Sequence, residues 1–147
     1  NYMEKQESSY NMIDWWKKVV LKNYANFQGR ARRAEYWYFA LCNVIFIVPL
    51  YILGMVGAAN DSVALSALGF GLYGIYALGI LVPSLAVAVR RLHDTNRSGW
   101  YYFIGVIPLV GGILLLVWFF TEGDRFQNNY GDDPKNPGIP ELEFTGQ

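Results

Sequence analysis

The sequence predicts an all-α, polytopic membrane protein with three apolar spans and an amphipathic surface helix near its N-terminus. The first observation is that no Asp, Glu, Lys or Arg occurs at residues 36–60, 62–89 or 98–121, which are 25, 28 and 24 residues long. About 20 mostly apolar residues cross a hydrocarbon core of roughly 30 Å as a helix. The second observation is the composition, which is 53% hydrophobic and 16% charged, whereas soluble domains carry about 25% charged residues.

The 147 residues are enough for one small domain, which we place at residues 12–134. Residues 1–11 look polar and are expected to be disordered or to belong to an added or trimmed end. Residues 135–147 are rich in Pro and Gly and are expected to form a flexible tail.

An amphipathic helix is predicted at residues 12–27, before the first span. Its apolar residues recur at intervals of three and four, which is the period of one helix face; they are Met12, Trp15, Trp16, Val19, Val20, Tyr24 and Phe27. Lysines fall on the other side, and a helix of this composition favours the headgroup plane of a bilayer. The alternative is that the same apolar face packs against the protein's own spans.

The first two spans, at about residues 36–57 and 63–89, are predicted to form an antiparallel hairpin because the loop between them is short. Pro49 lies in the middle of the first span, where it is expected to kink the helix. Ala67 and Gly71 form a small-xxx-small pair, which favours close packing of helix backbones. We expect this packing within the chain, with a dimer contact as the alternative.

The third span, at about residues 99–120, has aromatic residues at both ends, as a full crossing does. Pro108, Gly111 and Gly112 interrupt its middle. We expect one kinked crossing. The alternative is a re-entrant turn, which a membrane tolerates where protein or water covers the freed backbone groups.

Basic residues give the predicted orientation, because Lys and Arg are enriched in cytoplasmic loops. Seven of them precede the first span, and Arg90, Arg91 and Arg97 follow the second, whereas the loop between these spans has none. The N-terminal region and the loop 90–97 are therefore expected in the cytoplasm. The C-terminal tail is expected outside after three full spans, or in the cytoplasm after a re-entrant third segment.

Three polar segments border the spans, at residues 27–37, 90–100 and 128–134, and they read FQGRARRAEYW, RRLHDTNRSGW and NNYGDDP. Together with IPLVG at residues 107–111, they resemble the YhaH-type bacterial inner-membrane proteins of the domain-of-unknown-function 805 family. The family motifs are F-x-GR-x-x-R-x-EYW, RRLHD-x-x-x-SGW, IPL-x-G and N-x-YG-x-DP; a glycine that often precedes the last one is absent here. The resemblance covers about residues 24–134. It implies a multi-pass protein of the bacterial cytoplasmic (inner) membrane and implies no reaction.

Two sets of candidate site residues lie in these segments. Guanidinium groups bind phosphate in a bidentate fork, so the candidates for binding lipid or another anion are Arg30, Arg32, Arg33, Arg90, Arg91 and Arg97. A structural polar cluster is expected from Glu35, His93, Asp94, Asn129, Tyr130 and Asp133. We predict an arginine–carboxylate pair between loop Arg90–Gly99 and segment Gly29–Glu35, and a pair of Arg32 with Glu35 on one helix face.

The predicted function is that of a non-enzymatic membrane module whose partners are the phospholipid bilayer and either anionic lipid headgroups or an acidic partner. One alternative is a small channel or transporter, which needs a homo-oligomer or a membrane protein partner and is disfavoured by the lack of charged residues in the spans. The other alternative is a lipid-modifying enzyme using His93 and Asp94. One histidine and one cysteine, Cys42, disfavour a metal site. No cofactor is expected, and a chain without a net basic charge is a poor candidate for nucleic-acid binding.

Overall fold

The computed structural model describes residues 6–135, and the regular elements in that range are helical. They are a 3-10 helix Glu7–Ser9, α1 (Met12–Lys17) continued by a π-helix Lys18–Lys22, α2 (Arg33–Ala59), α3 (Val63–Asp94), a 3-10 helix Gly99–Val106 and α4 (Val110–Phe120). The predictions for residues 1–5 and 136–147 lie outside the described residues. Residues 6–11 differ from the predicted disorder, because they contain the first 3-10 helix and Glu7 pairs with Lys18 and Arg32.

α2 and α3 form the predicted antiparallel hairpin. Among residues 6–135 they are the two helices long and apolar enough to cross a membrane, with lengths of about 40 Å and 48 Å. Their backbones touch near the turn, where a Cβ on Gly57 would lie 2.3 Å from the backbone of α3 and a Cβ on Gly69 would lie 2.2 Å from that of α2. Gly71 borders open space, so the close contact does not use the predicted Ala67–Gly71 pair.

α3 is longer than predicted and ends at Asp94 rather than near Val89. The charged residues of its last turns continue the helix because their side chains are buried and paired with other segments, as described below. α2 is likewise helical through Pro49.

The third apolar segment consists of two short helices instead of one kinked helix. The 3-10 helix Gly99–Val106 and α4 fold back on each other at Pro108 and Leu109, and Leu109 adopts φ 63°. A Cβ on Gly111 would lie 1.7 Å from the carbonyl oxygen of Ile104. The two arms are therefore in backbone contact, and we call them the 99–120 hairpin.

Both ends of the 99–120 hairpin lie beside the C-terminal end of α3. Gly99, at its start, faces Val89 so closely that an added Cβ would lie 2.7 Å from the valine side chain. Phe119, at its end, accepts a hydrogen bond from Arg91 Nε at 3.1 Å. The chain after residue 120 therefore returns to the same end of the helical hairpin as the loop after α3.

The N-terminal helix is shorter than the predicted 12–27 and packs its apolar face on α2 and α3. It ends at Lys22, after which Asn23 Nδ2 donates to Lys18 O at 3.0 Å. Trp15 and Val19 are buried, and Val19 shares a core cluster with Ala31, Phe39 and Val87. The apolar face of this helix therefore packs against the protein's own spans, which the sequence analysis gave as the alternative to the membrane surface.

Candidate functional site

Three parts of the chain, residues 26–35, 90–97 and 119–135, meet at the end of the α2–α3 hairpin that lies away from its turn. Their contact buries six charged or titratable side chains of the first two parts, each no more than 8% exposed. We call this cluster the polar cap, and it consists of Arg30, Glu35, Arg90, Arg91, His93 and Asp94. All six are among the candidates predicted from the sequence.

Asp94 is the centre of the polar cap. Its Oδ1 accepts a hydrogen bond from Arg30 Nε at 3.0 Å, and its Oδ2 accepts one from Arg91 Nη1 at 2.9 Å. The backbone of Gly123 covers it so closely that a Cβ there would lie 2.0 Å from Oδ2. The Arg30–Asp94 pair confirms the predicted arginine–carboxylate contact between the loop and the N-terminal segment.

Arg30 also binds residues 121–135, the segment that follows α4 and that we call the tail from here on. Its Nη1 donates to Phe126 O at 2.7 Å and to Gly131 O at 3.3 Å, and its Nη2 donates to the Asp124 carbonyl. The amide of Asp124 donates in turn to the carbonyl of Asp94 at 2.7 Å. Since buried carbonyls require hydrogen-bond partners, this one guanidinium ties the path of the tail to the end of α3.

Arginine and tryptophan side chains cap the C-terminal end of α4. Arg91 donates to Phe119 O through Nε at 3.1 Å and through Nη2 at 2.9 Å. Trp37 Nε1 donates to the same oxygen at 3.0 Å. Arg33 Nη1 donates to Phe120 O at 3.2 Å. The last carbonyls of a helix lack partners within it, and cations are favourable at this end of the helix dipole.

Glu35 is fully buried at the start of α2 and accepts from Arg90, so this is a second arginine–carboxylate pair between the same two segments. Arg90 Nη1 lies 2.5 Å from Glu35 Oε1, and Arg90 Nε donates to Asn26 O at 3.0 Å. Lys18 Nζ lies 3.4 Å from Glu35 Oε2. Within the described residues, Glu35 Oε2, Arg90 Nη2 and Arg32 Nε are buried without a hydrogen-bond partner.

Arg32 differs from the prediction, because it does not pair with Glu35. It immediately precedes α2 and has an extended backbone with φ −75° and ψ 163°, so the side-chain geometry of three residues within one helix does not apply. Its Nη1 lies 3.2 Å from Glu7 Oε2, and its guanidinium lies 5.4 Å from the centroid of the Trp15 ring. No motif spacing indicated Glu7 as a partner.

His93 joins α3 to both flanking segments. Its Nδ1 lies 2.9 Å from Gly29 O, and its ring stacks on Tyr130 with the ring centroids 4.0 Å apart. Its carbonyl accepts a hydrogen bond from Asn128 Nδ2 at 2.9 Å. In the tail, therefore, the side chain that bonds to α3 is that of Asn128. The predicted Asn129 is exposed, and its backbone N–H donates to Asn96 Oδ1.

The remaining candidate arginines lie at the rim of the polar cap, near the end of α4. Arg33 is exposed. Arg97 is partly exposed, and its guanidinium lies 4.7 Å from the centroid of the Trp118 ring. These two side chains, unlike Arg30, Arg90 and Arg91, are accessible from outside the protein.

Asp133 is buried and lines a cavity of about 320 Å³ between the polar cap and the tail. The cavity combines both charge signs, since Arg32, Arg125 and Glu122 also line it. A hydrogen bond from Lys135 lowers the pKa of Glu122. Among the described residues, no group of three or more His, Cys, Asp or Glu side chains is placed to hold a metal ion.

A second polar contact, which the sequence analysis did not predict, lies within the apolar region. Trp16 Nε1 lies 3.3 Å from Asn43 Oδ1 and 3.2 Å from Tyr76 OH, and Tyr76 OH donates to Asn43 Oδ1 at 2.8 Å. The contact connects the N-terminal helix to both α2 and α3. Asn43 itself was the available signal, because polar side chains in apolar spans bond across helices.

The comparisons with known proteins find a family and relatives that cover most of the chain. Residues 24–132 match the family described as "Protein of unknown function (DUF805)". Inner membrane protein YhaI of Escherichia coli (strain K12) is 46% identical over 123 residues, which are 82% of this chain and 95% of that protein. Inner membrane protein YhaH of the same strain is 41% identical over 127 residues, which are 84% of this chain and 98% of that protein. No solved structure matches the chain. The family match, these relatives and the two long apolar helices identify the chain as a bacterial inner-membrane protein that belongs to the DUF805 family.

Proposed function

We propose that the protein is a non-enzymatic membrane module that displays an anionic-lipid site on the cytoplasmic side of the inner membrane. In this proposal α2 and α3 cross the bilayer, and the 99–120 hairpin enters it from the cytoplasm and returns. The observation that carries the proposal is the polar cap, in which Arg30 binds Asp94 of α3 and the carbonyls of the tail at once. The cap makes one rigid cytoplasmic face from three separate segments.

The distribution of charge and the dimensions of the helices support this topology. Basic residues surround the cap, whereas the turn between α2 and α3 carries Asp61 and no Lys or Arg. Each arm of the 99–120 hairpin is about 16 Å long, roughly half of a hydrocarbon core of ~30 Å. The backbone contact between its arms at Gly111 supplies part of the protein cover that a re-entrant segment requires.

The N-terminal helix fits the headgroup plane in the same arrangement. One face is buried on α2 and α3 through Trp15 and Val19, while Lys17, Leu21 and Lys22 are exposed. Lysines near an anionic leaflet each add about 1 kcal/mol of attraction. The helix therefore contributes both to the bundle and to the membrane surface.

The geometry of Asp94 favours the non-enzymatic module over the lipid-modifying enzyme that would use His93 and Asp94. Both carboxylate oxygens of Asp94 accept from arginines, and the backbone of Gly123 covers them. A general acid or base needs an accessible group within hydrogen-bond reach of the substrate, whereas the Asp94 side chain is 4% exposed and both of its oxygens are bonded to arginines.

The lipid site is assigned to Arg33 and Arg97. Arg30, Arg90 and Arg91 are buried and occupied by internal partners. Arg32 is paired with Glu7, and its side chain is 15% exposed, so two of the six sequence candidates remain at the rim. Arg33 and Arg97 flank the end of α4, one on the Phe120 carbonyl and the other on the Trp118 ring. Guanidinium groups bind phosphate oxygens in a bidentate fork, so an anionic phospholipid headgroup is the expected ligand.

Thermal unfolding in detergent with added lipid tests this site. Phosphatidylglycerol is expected to raise the melting temperature more than phosphatidylcholine of the same acyl chains, because it carries a net negative charge. The double variant Arg33→Gln, Arg97→Gln should lose this difference between the lipids, whereas the control Lys135→Gln should keep it. A double variant that responds to phosphatidylglycerol like the parent would contradict the assignment.

A further inference from the structure

An apolar cleft of about 470 Å³ lies beside the polar cap, between the N-terminal segment, the last turns of α3 and the start of the 99–120 hairpin. Its volume is within the range of about 300–1,000 Å³ that is usual for small-molecule sites. The wall is mostly aromatic and aliphatic, and it includes Phe27, Leu85, Val89, Trp100 and Phe103. Its polar side chains are the imidazole of His93 and the hydroxyls of Ser98 and Tyr102. The proposed arginine site uses none of these residues.

His93 lines this cleft and has one ring nitrogen left to accept a hydrogen bond. Its Nδ1 lies 2.9 Å from the carbonyl oxygen of Gly29, and a carbonyl accepts hydrogen bonds but does not donate them. In the neutral ring the proton is therefore on Nδ1, and Nε2 carries the lone pair. The parallel stack with Tyr130, at 4.0 Å between centroids, holds the plane of the ring. A ligand that contacts Nε2 must therefore present a donor to it.

The depth of the cleft identifies the molecules that surround it. In α3 it extends from Leu85, within the charge-free stretch, to His93, among the charged residues. This transition corresponds to the boundary between acyl chains and headgroups. Trp100, which lines the cleft and is 78% exposed, is typical of residues at that boundary. Phospholipids of the inner membrane are therefore the molecules in contact with the opening.

We infer that the cleft binds one phospholipid whose headgroup carries an N–H donor, as phosphatidylethanolamine does. An acyl chain lies against Leu85, Val89 and Phe103, and the ammonium group donates to His93 Nε2. This inference goes beyond the proposed binding of anionic lipid by Arg33 and Arg97 and does not depend on it. The two sites select by different chemistry, one by net negative charge and the other by a donor.

Native mass spectrometry of the purified protein tests the inference, with phosphatidylethanolamine and phosphatidylcholine of identical acyl chains supplied in equal amounts. Both lipids are zwitterionic, so the rim arginines do not distinguish them, and phosphatidylcholine has no N–H donor. We expect one retained phosphatidylethanolamine per chain, at several-fold higher occupancy than phosphatidylcholine. Equal retention of the two lipids by the parent protein would overturn the inference.

Two variants and a control locate the site. Leu85→Trp fills the cleft and should abolish the preference, whereas Leu81→Trp, one turn earlier on an exposed position of α3, should keep it. His93→Phe retains a ring for Tyr130 but removes the acceptor, so lipid should remain bound with the ratio of the two lipids close to one. A His93→Phe variant that keeps the preference for phosphatidylethanolamine would overturn the inference. This outcome is decisive even if Leu85→Trp does not fold.

Discussion

Charge compensation between individual side chains holds the polar cap together. Asp94 balances Arg30 and Arg91, and Glu35 balances Arg90, in places that are at most 8% exposed. A buried ion pair is close to neutral for stability as a whole, but the removal of one partner leaves a buried, uncompensated charge that costs about 3–5 kcal/mol. The carboxylates are therefore more sensitive positions than any exposed acid.

The variant Asp94→Ala should accordingly unfold at a clearly lower temperature in detergent, because two arginines lose their acceptor. Glu35→Ala should behave similarly, since it leaves Arg90 and Lys18 near an apolar methyl group. The matched control is Glu122→Ala, which breaks the exposed pair with Lys135 and should cost no more than about 1 kcal/mol. Melting of Asp94→Ala and Glu35→Ala within the range of this control would show that the cap is solvated.

The elements differ in how far their local sequence specifies them. α2 and α3 were predicted because a long run of apolar residues without charge is a local property. The end of α3 was not predicted, because Arg90–Asp94 are kept helical by contacts with residues that are distant in sequence. The predicted pair of Arg32 with Glu35 was wrong for a related reason, because Arg32 precedes the helix and pairs with Glu7 instead. The polar cap was predicted as a contact but not in its detailed pairing.

The 99–120 hairpin is the element on which sequence reasoning was least accurate. A kinked helix and a folded-back pair bury similar residues, so composition and length do not distinguish them. The deciding features are the turn at Leu109, with φ 63°, and the contact of Gly111 with the carbonyl of Ile104. Neither feature follows from apolar periodicity, although Pro108 and the glycines indicated an interruption.

Substitution of the two adjacent glycines in α4 tests the hairpin. Gly111→Ala places a methyl group 1.7 Å from Ile104 O, which is backbone and cannot rotate away, so the arms must separate and stability should fall by more than the 1–3 kcal/mol usual for overpacking. Gly112→Ala meets nothing within 4 Å and should be neutral or stabilising, by up to about 1 kcal/mol. Equal melting temperatures for the two variants would exclude backbone contact between the arms.

At the scale of the whole molecule, three segments that are far apart in sequence close on one face. The segment before α2, the end of α3 and the tail after α4 are joined by the bonds of Arg30, Arg91 and His93. These residues belong to the polar motifs that border the apolar spans. The motifs are thus explained by mutual contact, and the proposed membrane topology has all three segments on one side.

Labelling of single cysteines by a membrane-impermeant reagent tests this central claim most directly. In a Cys42→Ser background, single cysteines are introduced at three exposed positions. The variants are Gln28→Cys before α2, Ala59→Cys at the turn and Gln127→Cys in the tail. We predict that Ala59→Cys reacts in intact spheroplasts, whereas Gln28→Cys and Gln127→Cys react in inverted vesicles and not in spheroplasts. Reaction of Gln127→Cys from the same side as Ala59→Cys would mean that the third segment crosses the membrane, and would contradict the account.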